Sequence, residues 1–366
     1  MTTPIVAILG GGQLGRMIAL AGYPLGVRCR SLDPDPLAPA GQVTEQIVAR
    51  YDDESALRQL ARGCDAATVE FENVPTFAAR YLEAHAPFFP GPEALAAAQE
   101  RLAEKWLFRS LDIPTPRFVA VESRATLERA AEHTGLPAIL KTRRLGYDGK
   151  GQYVLRDPAA IDPAWEALGG VPLVLEEMIP FDREVSIIAV RSRAAHTAFY
   201  PLIENHHDAG ILRLSLAPAP DLTPALQSQA EAYTLRVLDR LNYVGVLTIE
   251  FFVRNEQLIA NEMACRVHNS GHWTIEGAEC SQFENHLRAI LGWPLGSTAP
   301  RACSAMVNLI GDIHHHDEIL QTPGAHLHLY GKEPRPWRKL GHVTLTASNA
   351  RTVTQAAERL RDRVTI

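Results

Sequence analysis

No apolar run in this chain approaches the roughly 20 residues that a membrane-crossing helix needs. The amino-terminal Met-Thr-Thr-Pro carries no basic stretch followed by an apolar core, so neither a leader nor an anchor is expected. Cysteine is scarce: five residues (Cys29, Cys64, Cys265, Cys280 and Cys303), odd in number, scattered, and without a C-x-x-C pair. That excludes a disulfide scaffold and a zinc ribbon, and predicts free thiols in a reducing, cytoplasmic compartment. A basic excess is missing as well. With 36 lysines and arginines against 42 acidic residues the net charge is −6, which argues against a general nucleic-acid binder. There is no internal repeat and no low-complexity stretch.

What remains is the composition of a soluble globular protein, 46% hydrophobic and 21% charged. At about 150 residues per domain, 366 residues predict two or three domains, large enough to form cores without metal or disulfide staples. The chain opens with an apolar strand, residues 5–9, running into Gly10-Gly11-Gly12-Gln13-Leu14-Gly15-Arg16. A helix over 13–21 follows from the spacing of Leu14, Met17, Ile18 and Ala21. Further strands are predicted over 27–32, closed by Asp33-Pro34-Asp35-Pro36, and over 66–70, with a helix beginning at Pro75. Alternating strands and helices imply a parallel sheet, ending near residue 100.

One charged amphipathic helix over 93–111 comes next, stopped by Ile113-Pro114-Thr115-Pro116. Short strands then dominate: 138–142, 152–155, 173–178, 184–190 and 197–202, then a helix over 227–241 and strands over 244–253 and 258–263. That is an α+β segment with a largely antiparallel sheet. From about Pro300 the strands are shorter and a His314-His315-His316 tract appears. The division is therefore 1–100, 101–298 and 299–366, an α/β domain, an α+β domain and a small β-rich domain.

Three constellations carry chemistry. Gly10-x-Gly12-x-x-Gly15 lies between a strand and a helix, with Asp33 at the next strand end, the context of a dinucleotide fingerprint. NAD binding, another phosphorylated ligand and a plain tight turn all stay open there. Lys141 ends an apolar strand ahead of Gly146-Tyr147-Asp148-Gly149-Lys150-Gly151-Gln152, a glycine-rich hairpin tip able to fold over a triphosphate; lacking the following helix, it is no Walker A loop. Glu250 and Glu262 sit in two apolar runs joined by Arg254-Asn255-Glu256-Gln257. A hairpin centred on residue 256 sets the two carboxylates opposite one another, Cβ atoms about 5 Å apart. Facing acids repel unless one is protonated or a cation lies between them, and carboxylates plus phosphates are how Mg²⁺ is usually held. A glutamate paired with arginine is the competing arrangement. Directly afterwards, Arg266-Val267-His268-Asn269-Ser270-Gly271-His272-Trp273 is dense in polar groups and reads as a substrate cradle.

These segments together resemble the ATP-grasp superfamily and, within it, the N5-carboxyaminoimidazole ribonucleotide synthetase family. The resembling runs are 10–17, 146–152, Tyr-Pro-Leu-Ile-Glu-Asn (200–205), Arg-Val-His-Asn-Ser-Gly-His-Trp-Thr (266–274), His-Leu-Tyr-Gly-Lys (328–332) and Arg-Lys-Leu-Gly-His (338–342). The resemblance covers nearly the whole chain. It implies an ATP-grasp fold, with an amino-terminal Rossmann-like parallel-sheet domain and a small carboxy-terminal β-rich domain, and ATP between two α+β lobes.

By that resemblance Arg101 and Lys141 contact the nucleotide phosphates, and Gly146 to Gln152, including Gly149, Lys150 and Gly151, cover them. Glu176, Glu177, Met178 and Ile179 form the adenine hinge, with Glu184 on the ribose and His207 and Asn261 nearby. Glu250 and Glu262 match the ligands of Mg²⁺ or Mn²⁺. Gly12, Gln13, Leu14, His268, Asn269, Ser270, Lys332 and Arg338 hold the second substrate, and Tyr147, Asp148, Lys150 and Arg266 serve catalysis. Two departures stand out: Cys265 where the family pattern has proline, and Lys150 where some members have arginine. The implied reaction is ATP-dependent carboxylation of aminoimidazole ribonucleotide by bicarbonate, through carboxyphosphate, in a cytoplasmic homodimer. Another ATP-grasp carboxylate–amine ligase and an NAD-dependent oxidoreductase are the rival readings.

Overall fold

The computed structural model describes residues 3–146, 149–313 and 316–364. It begins with β1 (Ile5–Leu9), α1 (Gln13–Gly22), β2 (Arg28–Asp33), β3 (Glu45–Val48), α2 (Glu54–Ala61), β4 (Ala66–Val69) and α3 (Thr76–Glu83). The four strands form one parallel sheet in the order β3-β2-β1-β4. All of β4, and β1 after its first residue, is buried, so apolar runs rather than alternation mark them.

A single helix over 93–111 does not form. Two helices take its place, α4 (Pro92–Ala98) and α5 (Arg101–Ser110). Glu100 breaks them apart: its backbone is extended, and its carboxylate caps α5 by accepting the N–H groups of Leu102 and Ala103, each at 3.1 Å. The Gln99 side-chain amide donates to the carbonyls of Glu72 and Val74 at 2.6 and 2.7 Å, tying the break to the first sheet. Helix α5 also turns a charged stripe inward. Glu104, Lys105 and Phe108 are buried, whereas Trp106 is 56% exposed.

A small lobe follows, built from β5 (Phe118–Val121), α6 (Arg124–Thr134), β6 (Ala138–Thr142), β7 (Gln152–Leu155), α7 (Ile161–Leu168) and β8 (Leu173–Glu177). Its antiparallel sheet has the order β5-β8-β6-β7 and its own core around Leu127, Leu140 and Leu175. The remaining strands make one large antiparallel sheet. They are β9 (Arg183–Arg191), β10 (Thr197–Phe199), β11 (Ile203–Asp208) and β12 (Ile211–Ala217), then, after α8 (Pro224–Arg240), β13 (Gly245–Arg254) and β14 (Gln257–Ala264). After α9 (Thr274–Gly277) and α10 (Gln282–Leu291) come β15 (Cys303–Ile310), α11 (His316–Gln321), β16 (Ala325–Leu329), β17 (Lys339–Ala347) and α12 (Ala350–Val364). The order is β14-β13-β9-β11-β12-β15-β17-β16, with β10 beside β9. Because β15 pairs with β12, the carboxy-terminal strands extend the central sheet and have no sheet of their own. His314 and His315 lie outside the described residues.

Two local features set the geometry of the site. Asn255 and Glu256 both have positive φ (49° and 58°), a two-residue turn of the type that matches strand twist. Next to that turn Phe251 faces Ala260, one residue away from a hairpin centred on 256; a bulge at Asn261 then restores Glu250 opposite Glu262. Elsewhere, His286 on α10 clamps the first sheet to the large one. It accepts the Val246 N–H at Nδ1 (3.1 Å), so its other nitrogen, Nε2, donates to Thr68 Oγ1 (2.9 Å). Among the described residues no helix is long and apolar enough to cross a membrane.

Candidate active site

A cavity of about 970 Å³ opens where the amino-terminal sheet, the large sheet and the carboxy-terminal segment meet. Glu250 and Glu262 line it from adjacent strands, on one face. Each already has a partner. Arg101 Nη1 lies 2.9 Å from Glu262 Oε2, and His268 Nε2 lies 3.1 Å from Glu250 Oε1. Burial by itself raises the Glu262 pKa, but Arg101, with Lys141 and Lys105 behind it, outweighs that and keeps the carboxyl well below the ordinary range. Both the opposed pair and the competing glutamate–arginine contact are therefore realised at once.

Beneath the cavity the charges interlock. Lys141 and Lys105 converge on Glu176 Oε2 at 2.9 and 3.2 Å, all three side chains being at least nine-tenths buried. Lys105 also donates to the Asn261 carbonyl, tying α5 to the strand that carries Glu262. Burial raises the Glu176 pKa and the two ammonium groups reverse it, to about 2. Lys141 and Glu176 thus bind each other and do not line the cavity. Glu177 turns outward to Arg117 at 2.9 Å, Met178 is exposed and Ile179 buried. Glu184 Oε2 holds His207 Nδ1 at 2.9 Å. Burial disfavours the imidazolium of His207, yet Glu184 and the nearby Glu250 raise its pKa overall.

The glycine tip joins β6 to β7, with Lys141 opposite Gln152. Tyr147 and Asp148 lie outside the described residues. Gly149 and Gly151 have positive φ, and a Cβ on Gly149 would sit 2.8 Å from the Ala209 carbonyl in the β11–β12 turn. Only glycine lets the tip lie so close to the large sheet. Arg101, Gly146 and Lys150 line the cavity beneath it.

On the cavity's remaining walls are Gln13, Leu14, Arg266, His268, Asn269, Lys332 and Arg338. Lys332 Nζ donates to Gln13 Oε1, bridging carboxy- and amino-terminal segments, and Arg338 Nη1 donates to the Glu333 carbonyl at 3.2 Å. Arg266 forks onto Glu72, with Nη2–Oε1 at 3.1 Å and Nε on the other oxygen. That fork aims Arg266, so the proline position held by Cys265 matters little: Cys265 is wholly buried in the core and burial pushes its thiol pKa up. Asn269 and Asn308 exchange amide hydrogen bonds at 3.1 and 2.8 Å. Ser270 is wholly buried and reaches His268 Nδ1 (2.9 Å) instead of the cavity.

The dinucleotide reading of the glycine run fails on geometry. The helix N-terminus already faces the chain's own Glu70, which accepts the Gly15 N–H at 3.3 Å; a Cβ on Gly12 would lie 2.5 Å from Glu70 Oε1. Asp33, the expected ribose ligand, accepts the Gly11 N–H at 2.7 Å and the Tyr51 hydroxyl at 2.8 Å. Gly12 is the N-cap of α1, packed against the Glu70 carboxylate, and the neighbouring Gln13 and Leu14 line the cavity.

Sequence reasoning missed Glu72, Glu104 and Lys105. The last two had a signal: Arg101, Glu104, Lys105 and Phe108 recur at core-facing helical spacing, so the inner stripe of α5 is polar. Glu72 had none, being one polar residue in a loop. Burial raises the Glu104 pKa to about 8, against the pull of Lys105. No group of three or more His, Cys, Asp or Glu converges as a metal site among the described residues.

Three family models match the chain: a ribonucleotide synthetase preATP-grasp domain over 1–99, an ATP-grasp domain over 106–283, and a phosphoribosylaminoimidazole carboxylase C-terminal domain over 304–356. The N5-carboxyaminoimidazole ribonucleotide synthase of Pseudomonas aeruginosa is 53% identical over 348 residues, 95% of this chain and 96% of that one. Among solved structures, the N5-carboxyaminoimidazole ribonucleotide synthetase of Thermus thermophilus superposes with a TM-score of 0.94 at 56% identity, covering 99% of this chain and 98% of that one. The Aspergillus clavatus N5-carboxyaminoimidazole synthase, in complex with ADP and 5-aminoimidazole ribonucleotide, gives a TM-score of 0.92 at 32% identity, with 99% of each chain covered.

Proposed function

The chain belongs to the N5-carboxyaminoimidazole ribonucleotide synthase family of ATP-grasp ligases, and from that premise we propose how its residues divide the work. It is an ATP-dependent ligase of purine biosynthesis, converting 5-aminoimidazole ribonucleotide to its N5-carboxy derivative. The observation that carries the assignment of roles is a shared cavity. One continuous space joins the carboxylate pair and Arg101 to Lys332 and Arg338, and its volume, about 970 Å³, suits two substrates side by side.

ATP lies with its phosphates in the cavity, toward Arg101, Lys150 and Gly146, and its adenine reaching past the cavity wall toward residues 176–179, which do not line that space. Glu250 and Glu262 fit Mg²⁺: two hard, ionisable oxygen donors on one face, with phosphate oxygens and water to complete the shell. When bound there, the ion neutralises phosphate charge. Arg101, in the cavity wall, would turn from Glu262 toward the phosphates, and Lys141 backs the same wall from below.

Bicarbonate is a poor electrophile. Its oxygen attacks the γ-phosphorus, ADP leaves, and carboxyphosphate forms; the exocyclic amine then attacks the carboxyl carbon, the bond from that carbon to the phosphate oxygen breaks, and the departing phosphate takes the amine proton. The protein positions reactants and neutralises charge, and no side chain becomes covalently attached. Lys332, Arg338 and Gln13 hold the ribonucleotide phosphate, and Arg266, locked by Glu72, with His268 addresses the carboxyl oxygens. The glycine tip, lying on the β11–β12 turn, keeps water from a readily hydrolysed intermediate.

Product analysis with ATP, Mg²⁺, bicarbonate and 5-aminoimidazole ribonucleotide tests this. ADP release should require the ribonucleotide and match N5-carboxylated product one to one. ADP release with other amines, and none with this one, would make the chain a different carboxylate–amine ligase.

A further inference from the structure

Behind Glu250 runs a polar chain that the scheme above leaves unused. Ser215 Oγ donates to Asn205 Oδ1 at 2.8 Å, and Asn205 Nδ2 donates to Ser186 Oγ at 2.9 Å. Ser186 Oγ and Ser270 Oγ are 2.8 Å apart, and Ser270 Oγ lies 2.9 Å from His268 Nδ1. His268 Nε2 ends the chain, 3.1 Å from Glu250 Oε1. The three serines are wholly buried and Asn205 nearly so. The sheet brings them together because Ser186 is the cross-strand partner of Glu250, and Ser215 that of Asn205. Each is a polar residue set in an apolar strand.

One group fixes the direction of every bond. The backbone N–H of Ser270 can only donate, and it reaches His268 Nδ1 at 3.3 Å. In the neutral ring Nδ1 is therefore an acceptor and the proton sits on Nε2, facing Glu250. The Ser270 hydroxyl then gives its proton to Nδ1 and accepts from Ser186. Ser186 accepts in turn from the Asn205 amide, whose carbonyl takes the Ser215 proton. Ser270, Ser186 and Asn205 each accept once and donate once, and Nδ1 only accepts, so no two donors or acceptors oppose one another, which is the condition under which a buried network specifies a single arrangement.

We propose that this relay is a positioning device that locks His268 as an Nε2–H donor toward Glu250 and the reaction cavity. His268 then holds oxygen and does not act as the base that takes the amine proton, since its only lone pair is engaged with Ser270. The catalytic consequence rests on the assignment of roles above; the tautomer does not.

Histidine ¹⁵N spectroscopy of the ligand-free wild-type protein reads the tautomer directly, with His268→Gln identifying the signal. The expected state is Nε2–H; an Nδ1–H ring, or one averaging between the two, overturns the proposal. Asn205→Asp converts the middle of the relay into a double acceptor. Ser186 and Ser270 must then reverse, which sets the relay against the long 3.3 Å backbone contact and shifts the proton toward Nδ1, and kcat should fall by about two orders of magnitude, as when one donor to developing charge is removed. KM for ATP should change far less than kcat, because Ser186, Asn205 and Ser215 are buried behind the cavity wall and do not line it; a general loss of packing would move both. Should the buried carboxylate prevent folding, Ser270→Ala carries the same test, leaving only the 3.3 Å backbone donor on Nδ1 and making the second tautomer detectable. An unchanged tautomer in whichever variant folds would mean that the Ser270 backbone N–H alone holds the ring, and overturns the relay as the positioning device. Absence of carboxylation by the wild-type protein, with the Nε2–H state present, would instead count against the assigned reaction.

Discussion

Glu250 and Glu262 face one another across the β13–β14 hairpin, and each carboxylate is held from outside the hairpin, Glu262 by Arg101 on α5 and Glu250 by His268. Each carboxylate is thus engaged by a donor of its own before any ligand arrives. Two acids sharing a face would otherwise repel, and one would take up a proton.

The two residues should respond differently to loss of charge. Glu250→Gln and Glu262→Gln both remove a charge from the proposed Mg²⁺ shell, so turnover should drop by about two orders of magnitude, or roughly 2.7 kcal/mol of barrier. Only Glu262→Gln breaks an ion pair with arginine. Its ligand-free melting temperature should fall slightly, by the equivalent of about 1 kcal/mol or less, since the Glu262 side chain is 42% exposed. Glu250→Gln should melt like wild type, because an amide oxygen still accepts from His268. Normal Mg²⁺ dependence of ATP cleavage in either variant would remove that residue from the metal shell.

Much of this site was legible in the sequence, for physical reasons. The parallel and antiparallel regions announce themselves through apolar runs of strand length, and the glycine tip through its spacing after Lys141. The facing glutamates were found by a register count whose centre was half a residue off, and the bulge at Asn261 corrected it. A bulge leaves no mark in a pattern of period two. The break between α4 and α5 was missed because Glu100, a residue that helix interiors accept, caps α5 instead, and because Gln99 reaches the loop after β4, a contact distant in sequence. The roles of Glu72, Lys105 and the Ser186–Asn205 relay are likewise tertiary: nothing local distinguishes those side chains.

Arg338→Ala should raise KM for the ribonucleotide by about 10- to 150-fold, the equivalent of one charged hydrogen bond worth about 1.5–3 kcal/mol. KM for ATP should change little. The guanidinium lies at the cavity wall and its protein bond is to an exposed loop carbonyl, so removal costs little structure. Initial rates with each substrate varied in turn separate the two constants, and an equal loss toward both would assign Arg338 to the fold.

ATP–Mg²⁺ should stabilise the protein against heat and NADH should not. A ligand present at 100 times its dissociation constant adds about 2.7 kcal/mol. The α1 N-terminus cannot take a pyrophosphate without displacing Glu70, and Asp33 is already bonded to Gly11 and Tyr51. Thermal shift with each nucleotide decides it, and stabilisation by NADH alone would restore the dinucleotide reading.

Acid should loosen the junction between the first sheet and the large one through His286. Burial lowers its pKa from an ordinary 6.5 to about 4, and both ring nitrogens are committed, Nδ1 to the Val246 N–H and Nε2 to Thr68. Between those values the unfolded chain binds a proton that the folded protein refuses. Stability contributed by the neutral ring is therefore complete above about pH 6.5 and is lost as pH falls toward 4, by an amount on the order of 3 kcal/mol at most. His286→Gln keeps one acceptor and one donor but cannot titrate. It should be less stable than wild type at pH 8, by about 1 kcal/mol, and should lose less stability between pH 7 and pH 5. Carboxylates such as Glu176 act at lower pH and equally in both proteins, so they cancel in the difference. Urea midpoints across that range measure it; parallel curves for the two proteins would mean that His286 does not sense the acid.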